Sequence, residues 1–160
     1  MIVDKLLTFT GASGQAITSA ATTATTDHID TAPLGGNLGR NLGTGQRMEL
    51  VLSIRAGSVT TVTTPTAQVI IQTDDNSSFS SATTLLTSAA VALPTTSGTL
   101  AGNDIKQLLV IPLPLTNSYE RYVRCQIVTG GTITTASYTF DLSIVEAADA
   151  WVAKADAIDV

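Results

Sequence analysis

The feature that most constrains this chain is a two-residue alternation of apolar and polar side chains. In RMELVLSIRA, Met48, Leu50, Leu52 and Ile54 share one face while Arg47, Glu49, Ser53 and Arg55 share the other, with Val51 the one misfit. SYTFDLSIV repeats the pattern, with Tyr138, Phe140, Leu142 and Ile144 inward and Ser137, Thr139, Asp141 and Ser143 outward. Successive side chains of a strand point to opposite faces, so this period specifies half-buried antiparallel strands. In YERYVRCQIV the inward set is Tyr119, Val123, Cys125 and Ile127, and AQVIIQT sets Ala67, Val69 and Ile71 against Gln68 and Gln72. LLVIPL is apolar throughout, the pattern of a strand buried on both faces. Pro112 limits it, because a residue without an N–H belongs at an edge, an end or a bulge.

Turn residues separate these runs at short intervals: Ala56-Gly57-Ser58, Asp74-Asp75-Asn76, Ser97-Gly98, Gly102-Asn103-Asp104 and Gly130-Gly131. Gly130-Gly131, between two strongly patterned strands, predicts a hairpin turn. Many short strands punctuated this way predict an all-β fold, an antiparallel β-sandwich of jelly-roll type, rather than βα units. At 160 residues one domain suffices. It is expected over 1–145, with a glycine-rich loop at 32–46 and a tail or arm at 146–160, so that extended terminal segments flank the sandwich. The low-complexity run TSAATTATT reads as a loop or an edge strand. The tail EAADAWVAKADAIDV holds the one Trp and is open to helix or extended arm.

Side chains for chemistry are scarce: 13% of residues are charged, with one His and one Cys. Catalytic constellations need several ionisable groups in one cleft, so a binding or structural role is the starting point. A net charge of −5 with scattered basic residues argues against nucleic acid as a partner. Cys125 stands alone and offers no internal disulfide. MIVDKLLTFTGASG is not a convincing secretory signal, and LLVIPLPL is too short to span a bilayer and is broken by Pro112 and Pro114. The expected setting is the cytoplasm, or a larger particle that carries the protein out.

Three segments invite a more specific chemistry. The loop APLGGNLGRNLGTGQ has five glycines, but Thr44 and Gln46 follow Gly43 and Gly45 where a phosphate loop needs Lys, and a strand follows where a nucleotide fold needs a helix. A flexible connection, or an arm reaching a neighbouring subunit, remains. In DDNSS, Asp74, Asn76 and Ser78 have the spacing of the first calcium ligands of a helix–loop–helix site, yet the sixth-position glycine and twelfth-position Glu are missing. A turn capped by Asp and Asn side chains is favoured. His28 lies between Asp27 and Asp30, but nothing singles out a nucleophile to join it, so a surface or hydrogen-bonding role is expected. No catalytic residue, cofactor or metal ligand is assigned.

MIVDKLLTFT at the start, NLGRNLGTGQRMELVLSI after the glycine loop and QTDDNSSFSSATTL further on resemble the capsid cement, or decoration, proteins of short-tailed bacteriophages. The resemblance covers most of the chain; its most specific parts are the start and LGRNLGTGQ. It implies a jelly roll on the exterior of the virion's capsid, made in the host cytoplasm and bridging copies of the major capsid protein. Cementing needs a rigid fold, exposed arms and contacts repeated by symmetry, which fits a homodimer or homotrimer, with neither nucleic acid nor membrane as partner. The expected contacts are Ile2, Leu6 and Phe9 near the start, Leu38, Arg40 and Leu42 in the glycine loop, and Trp151 and Val152 in the tail. The competing expectation is a carbohydrate-binding or adhesin-like β-sandwich, which would want exposed aromatic rings.

Overall fold

The alternating segments do form strands. The computed structural model describes residues 8–11, 13–30, 48–59, 62–93, 95, 98–100, 106–113, 119–133 and 137–146, and among them there is no helix. In chain order the strands are β1 (Gln15–Ile17), β2 (Thr22–Ala24), β3 (Ile29–Asp30), β4 (Met48–Val59), β5 (Val62–Asp74), β6 (Thr83–Thr87), β7 (Val91–Ala92), β8 (Gly98–Leu100), β9 (Lys106–Pro112), β10 (Tyr122–Ile133) and β11 (Ser137–Glu146).

They build two antiparallel sheets. In the first, β1, β11 and β4 lie side by side, and β8 and β9 pair with opposite ends of β4. In the second, β2 and β3 share one edge of β10, β5 lies next, and β6 and β7 share its far edge. Counting each end-to-end pair as one row gives eight rows in chain order, arranged 1-8-3-6 in one sheet and 2-7-4-5 in the other. That is the jelly-roll arrangement. Its backbone is a folded ribbon: β4 pairs β11 in the first sheet, the chain crosses over, and β5 pairs β10 in the second.

The inner faces follow the period read from the sequence. Leu50, Leu52 and Ile54 meet Phe140, Leu142 and Ile144 in the first sheet; Ala67, Val69 and Ile71 meet Val123, Cys125 and Ile127 in the second, and all are buried in one core. Tyr119 packs against its border. Burying each Leu, Ile or Phe contributes roughly 1.5–3 kcal/mol, so this set dominates stability. The low-complexity threonine run supplies β2, an edge strand tied to β10 by hydroxyls: Thr25 Oγ1 donates to the Cys125 carbonyl at 2.9 Å and Thr129 Oγ1 to the Ser19 carbonyl at 3.0 Å.

Several expectations are corrected. Gly130-Gly131 is not a hairpin turn, since both glycines lie inside β10, and β10 and β11 belong to different sheets. The register with β5 shifts between Gly130 and Thr132, where the single residue Gly131 faces two residues of β5, Thr64 and Pro65, so the bulge lies in β5 opposite the glycines. Ala56-Gly57-Ser58 likewise lies within β4, paired with 137–139 beside a second shift that leaves Arg55 as the extra residue. Bulges and turns draw on the same small residues, so local sequence does not separate them. The outward face of β4 is not uniformly wet, because register places Glu49 between Pro112 and Val145, and both Glu49 and Val51 are buried. LLVIPL is not buried on both faces: β9 is an edge strand, half-buried, with Val110 exposed, while Pro112 does sit at its end.

The bulge in the second sheet carries the tightest backbone approach. Gly131 has φ +80°, and a Cβ there would lie 2.4 Å from the carbonyl oxygen of Thr64, which itself has φ +45°. Gly131→Ala is expected to cost about 1–3 kcal/mol for the left-handed conformation alone, with the clash in addition. Chemical denaturation checks this, and an unchanged midpoint would mean the bulge does not constrain the fold.

Candidate interaction surface

The ribbon separates the sandwich into two unlike ends. At the corner, Val59 leads to Val62 and Ile133 to Ser137; no charged residue occurs anywhere in 56–73 or 125–140. At the opposite end, Met48 pairs Glu146 in the first sheet while Asp74 and Asp30 both pair Tyr122 in the second. Asp30, Glu49, Asp74, Asp75, Glu120, Arg121 and Arg124 all belong to that end. Among the described residues there, Thr63, Thr64 and Thr132 are exposed and carry neutral hydroxyls that donate and accept hydrogen bonds.

A cluster of rings and cations occupies the charged end. The His28 ring meets Phe79 edge-on at 5.8 Å and Tyr122 at 5.5 Å. The Arg124 guanidinium lies 4.3 Å over Phe79 and that of Arg121 4.9 Å over Tyr122. Arg121 donates through Nε and one terminal nitrogen to the two Asp30 oxygens, both at 3.1 Å, and this pairing raises its pKa. Arg124 Nε donates to Gln72 Oε1 at 2.9 Å. Four chain segments thus converge. Guanidiniums already cover the Phe79 and Tyr122 faces, whereas a sugar ring would need an open face.

Beside the cluster, the turn after β5 is organised by Asp74, whose side chain is fully enclosed. Its oxygens accept from Asn76 N at 2.9 Å, Ser81 N at 2.8 Å and Ser81 Oγ at 3.2 Å. Asn76 Oδ1 in turn accepts from Ser78 N at 2.9 Å. The Asp and Asn caps expected from DDNSS are present. Oxygens of Asp74, Asp75 and Glu120 lie within 4.8 Å of one another, but those of Asp74 serve the turn's own N–H groups. Those bonds, the one from Asn76 foremost, hold the Asp74 carboxyl below the ordinary carboxylate pKa.

Of the expected contacts, Phe9 is corrected. Its side chain is 1% exposed in the core and its N–H donates to the Leu142 carbonyl at 2.9 Å, so it anchors the chain to β11 rather than presenting a surface. The alternation of Leu7 and Phe9 with Thr8 and Thr10 was the available signal. Thr8 bridges to Ser143, and Thr10 Oγ1 accepts from Leu142 N at 3.1 Å. Ile2, Leu6, Leu38, Arg40, Leu42, Trp151 and Val152 lie outside the described residues. Their segments attach through Thr8, Asp30, Met48 and Glu146, and the last three of these lie at the charged end. His28 is exposed, as expected, and its ring contacts make it part of the cluster, which sequence reasoning missed. Cys125 is buried, and burial pushes its thiol pKa well up.

Comparison with known families now adds to this geometry. A family model described as Bbp16 matches residues 11–142. The chain belongs to the Bbp16 family. The family name points to a phage protein. The match runs through the ribbon and both sheets of this Bbp16 chain, taking in the glycine-rich loop and stopping before the tail. Among curated proteins, none matches the chain.

The Asp74 geometry sets a pH dependence. A folded-state pKa below the unfolded value gives stability that is complete above the unfolded value, about 3.9, and lost as pH falls through the folded one. Asp74→Asn is therefore expected to melt below the wild type at neutral pH, with the gap closing as the pH is lowered through the acid range. Melting curves across that range check it, and a gap independent of pH would contradict it.

Proposed function

We propose that this chain is a structural virion protein that binds the outside of a phage head and stabilises it by bridging copies of the major capsid protein. The observation that carries the reading is the match to a phage-type family over residues 11–142, most of the jelly roll. The geometry supports it in two ways. The ribbon supplies the central strands of both sheets, so one continuous ladder joins them. The segments bearing Leu38, Arg40, Leu42, Trp151 and Val152 leave the sandwich at one end, where several contacts can engage a shell together. Linked contacts raise one another's effective concentration, so individually weak ones hold firmly. The role needs no cofactor, metal, nucleic acid, membrane or catalytic group, and the chain acts as a homo-oligomer on the exterior of the capsid. The carbohydrate-binding reading is disfavoured by the guanidiniums lying over the Tyr122 and Phe79 rings.

Heads assembled without the chain are expected to co-sediment with added purified protein and to withstand higher temperature before releasing DNA. Absence of co-sedimentation, or binding with no gain in heat resistance, would overturn the reading.

A further inference from the structure

We infer that the outer face of the second sheet is the surface that meets the capsid shell, and that Arg124 anchors it by taking a carboxylate of a shell subunit. The inference rests on the proposed role, which supplies the shell as partner.

The starting point is a guanidinium held in place with nothing to neutralise it. Arg124 sits on the outer face of β10, since its neighbours Val123 and Cys125 are in the core. Its guanidinium is fixed twice, 4.3 Å over the Phe79 ring and through Nε, which donates to Gln72 Oε1 at 2.9 Å. Neither partner carries a charge, and among the described residues no carboxylate pairs with it. Arg121 is the contrast, because both Asp30 oxygens already accept from it. The support under Arg124 is strained. Phe79 has φ +52°, a conformation that bulky side chains seldom adopt, and its N–H donates to the Asn76 carbonyl at 3.0 Å inside the turn that Asp74 organises. Such a conformation persists only where its surroundings impose it. A stacked guanidinium, oriented beforehand and with its terminal nitrogens unused, suits two-point capture of a carboxylate.

The face around Arg124 explains why that carboxylate comes from outside. Gln126 and Val128 stand opposite Ile70 and Gln68 on one side and Ala24 and Thr22 on the other, alternating with residues of the core. No charged residue occurs in 18–26, 66–73, 80–93 or 125–129, the segments that build this face. Along β10 from Arg124 to Thr129, with the strands beside it, Arg124 is then the one charge. Neutral amides, hydroxyls and aliphatic groups around an arginine match the core of a protein interface, where Arg is enriched and Asp, Glu and Lys are depleted. An uncompensated charge is costly to bury, so the surface that covers Arg124 has to bring its counter-charge. A phosphate chain needs clustered cations, which this face lacks, so a protein carboxylate is the fitting source.

Co-sedimentation with empty heads assembled without the chain tests this. Arg124→Gln is expected to raise the dissociation constant at least about tenfold with an unchanged circular dichroism spectrum, and Arg124→Lys to recover little of the loss, because an ammonium lacks the planar fork. Gln126→Glu, which puts a carboxylate beside Arg124 and against that of the partner, is expected to weaken binding by a similar factor. Heads whose exposed carboxylates have been converted to amides with carbodiimide and ethanolamine are expected to bind wild type and Arg124→Gln alike. Wild-type affinity in Arg124→Gln, or undiminished wild-type binding to the amidated heads, would overturn the inference and leave the proposed function standing. A wild type that fails to bind untreated heads would overturn both. Should Arg124→Gln fail to fold, Gln126→Glu decides, with unchanged affinity overturning the inference.

Discussion

The structure depends on one ladder that turns a corner. β4 and β5 run along β11 and β10 with antiparallel pairing on both sides of the crossing, from Met48 opposite Glu146 to Asp74 opposite Tyr122. Because the same ribbon supplies the central strands of both sheets, the inner faces of the sandwich are placed by one register. A slip of one residue would turn Leu50, Leu52 and Ile54, or Ala67, Val69 and Ile71, out of the core. The bulges at Thr64-Pro65, opposite Gly131, and at Arg55 lie near the crossing, where the ribbon has to bend and twist more than regular pairing allows.

That corner also explains the distribution of polar groups. Threonine is β-branched and suits a pleated strand, and its hydroxyl meets neighbouring backbone groups without the desolvation cost of a charge. Thr129 shows both properties, lying buried in β10 while its hydroxyl donates to the Ser19 carbonyl and accepts from the Ala21 N–H. At the other end Asp30 pairs Arg121 and Asp74 organises a turn, while Arg55 and Lys106 stay in the strands nearer the crossing.

Much of the fold was legible because alternation is a local signal. The inward faces of β4, β5, β10 and β11 were readable residue by residue, and the Asp74 turn could be read from Asp and Asn in succession. What stayed hidden depends on distant pairing. Gly130-Gly131 has the composition of a turn and runs on as strand only because β5, with its extra residue at Thr64-Pro65, lies beside it. Phe9 reaches the core through a bridge to β11 more than 130 residues away. The cluster of His28, Phe79, Arg121, Tyr122 and Arg124 has no sequence signature, since the topology alone brings its three segments together. LLVIPL is apolar throughout yet forms a half-buried edge strand, because its place beside β4 is set by pairing that the local pattern does not carry.

The most direct test of the structural role is an electron-microscopy reconstruction of the phage head with and without the chain. The account predicts additional density on the outer surface of the shell, shaped as a two-sheet sandwich and touching more than one capsid subunit through its charged end. Density inside the shell or on the tail, or a surface unchanged by adding the chain, would contradict it.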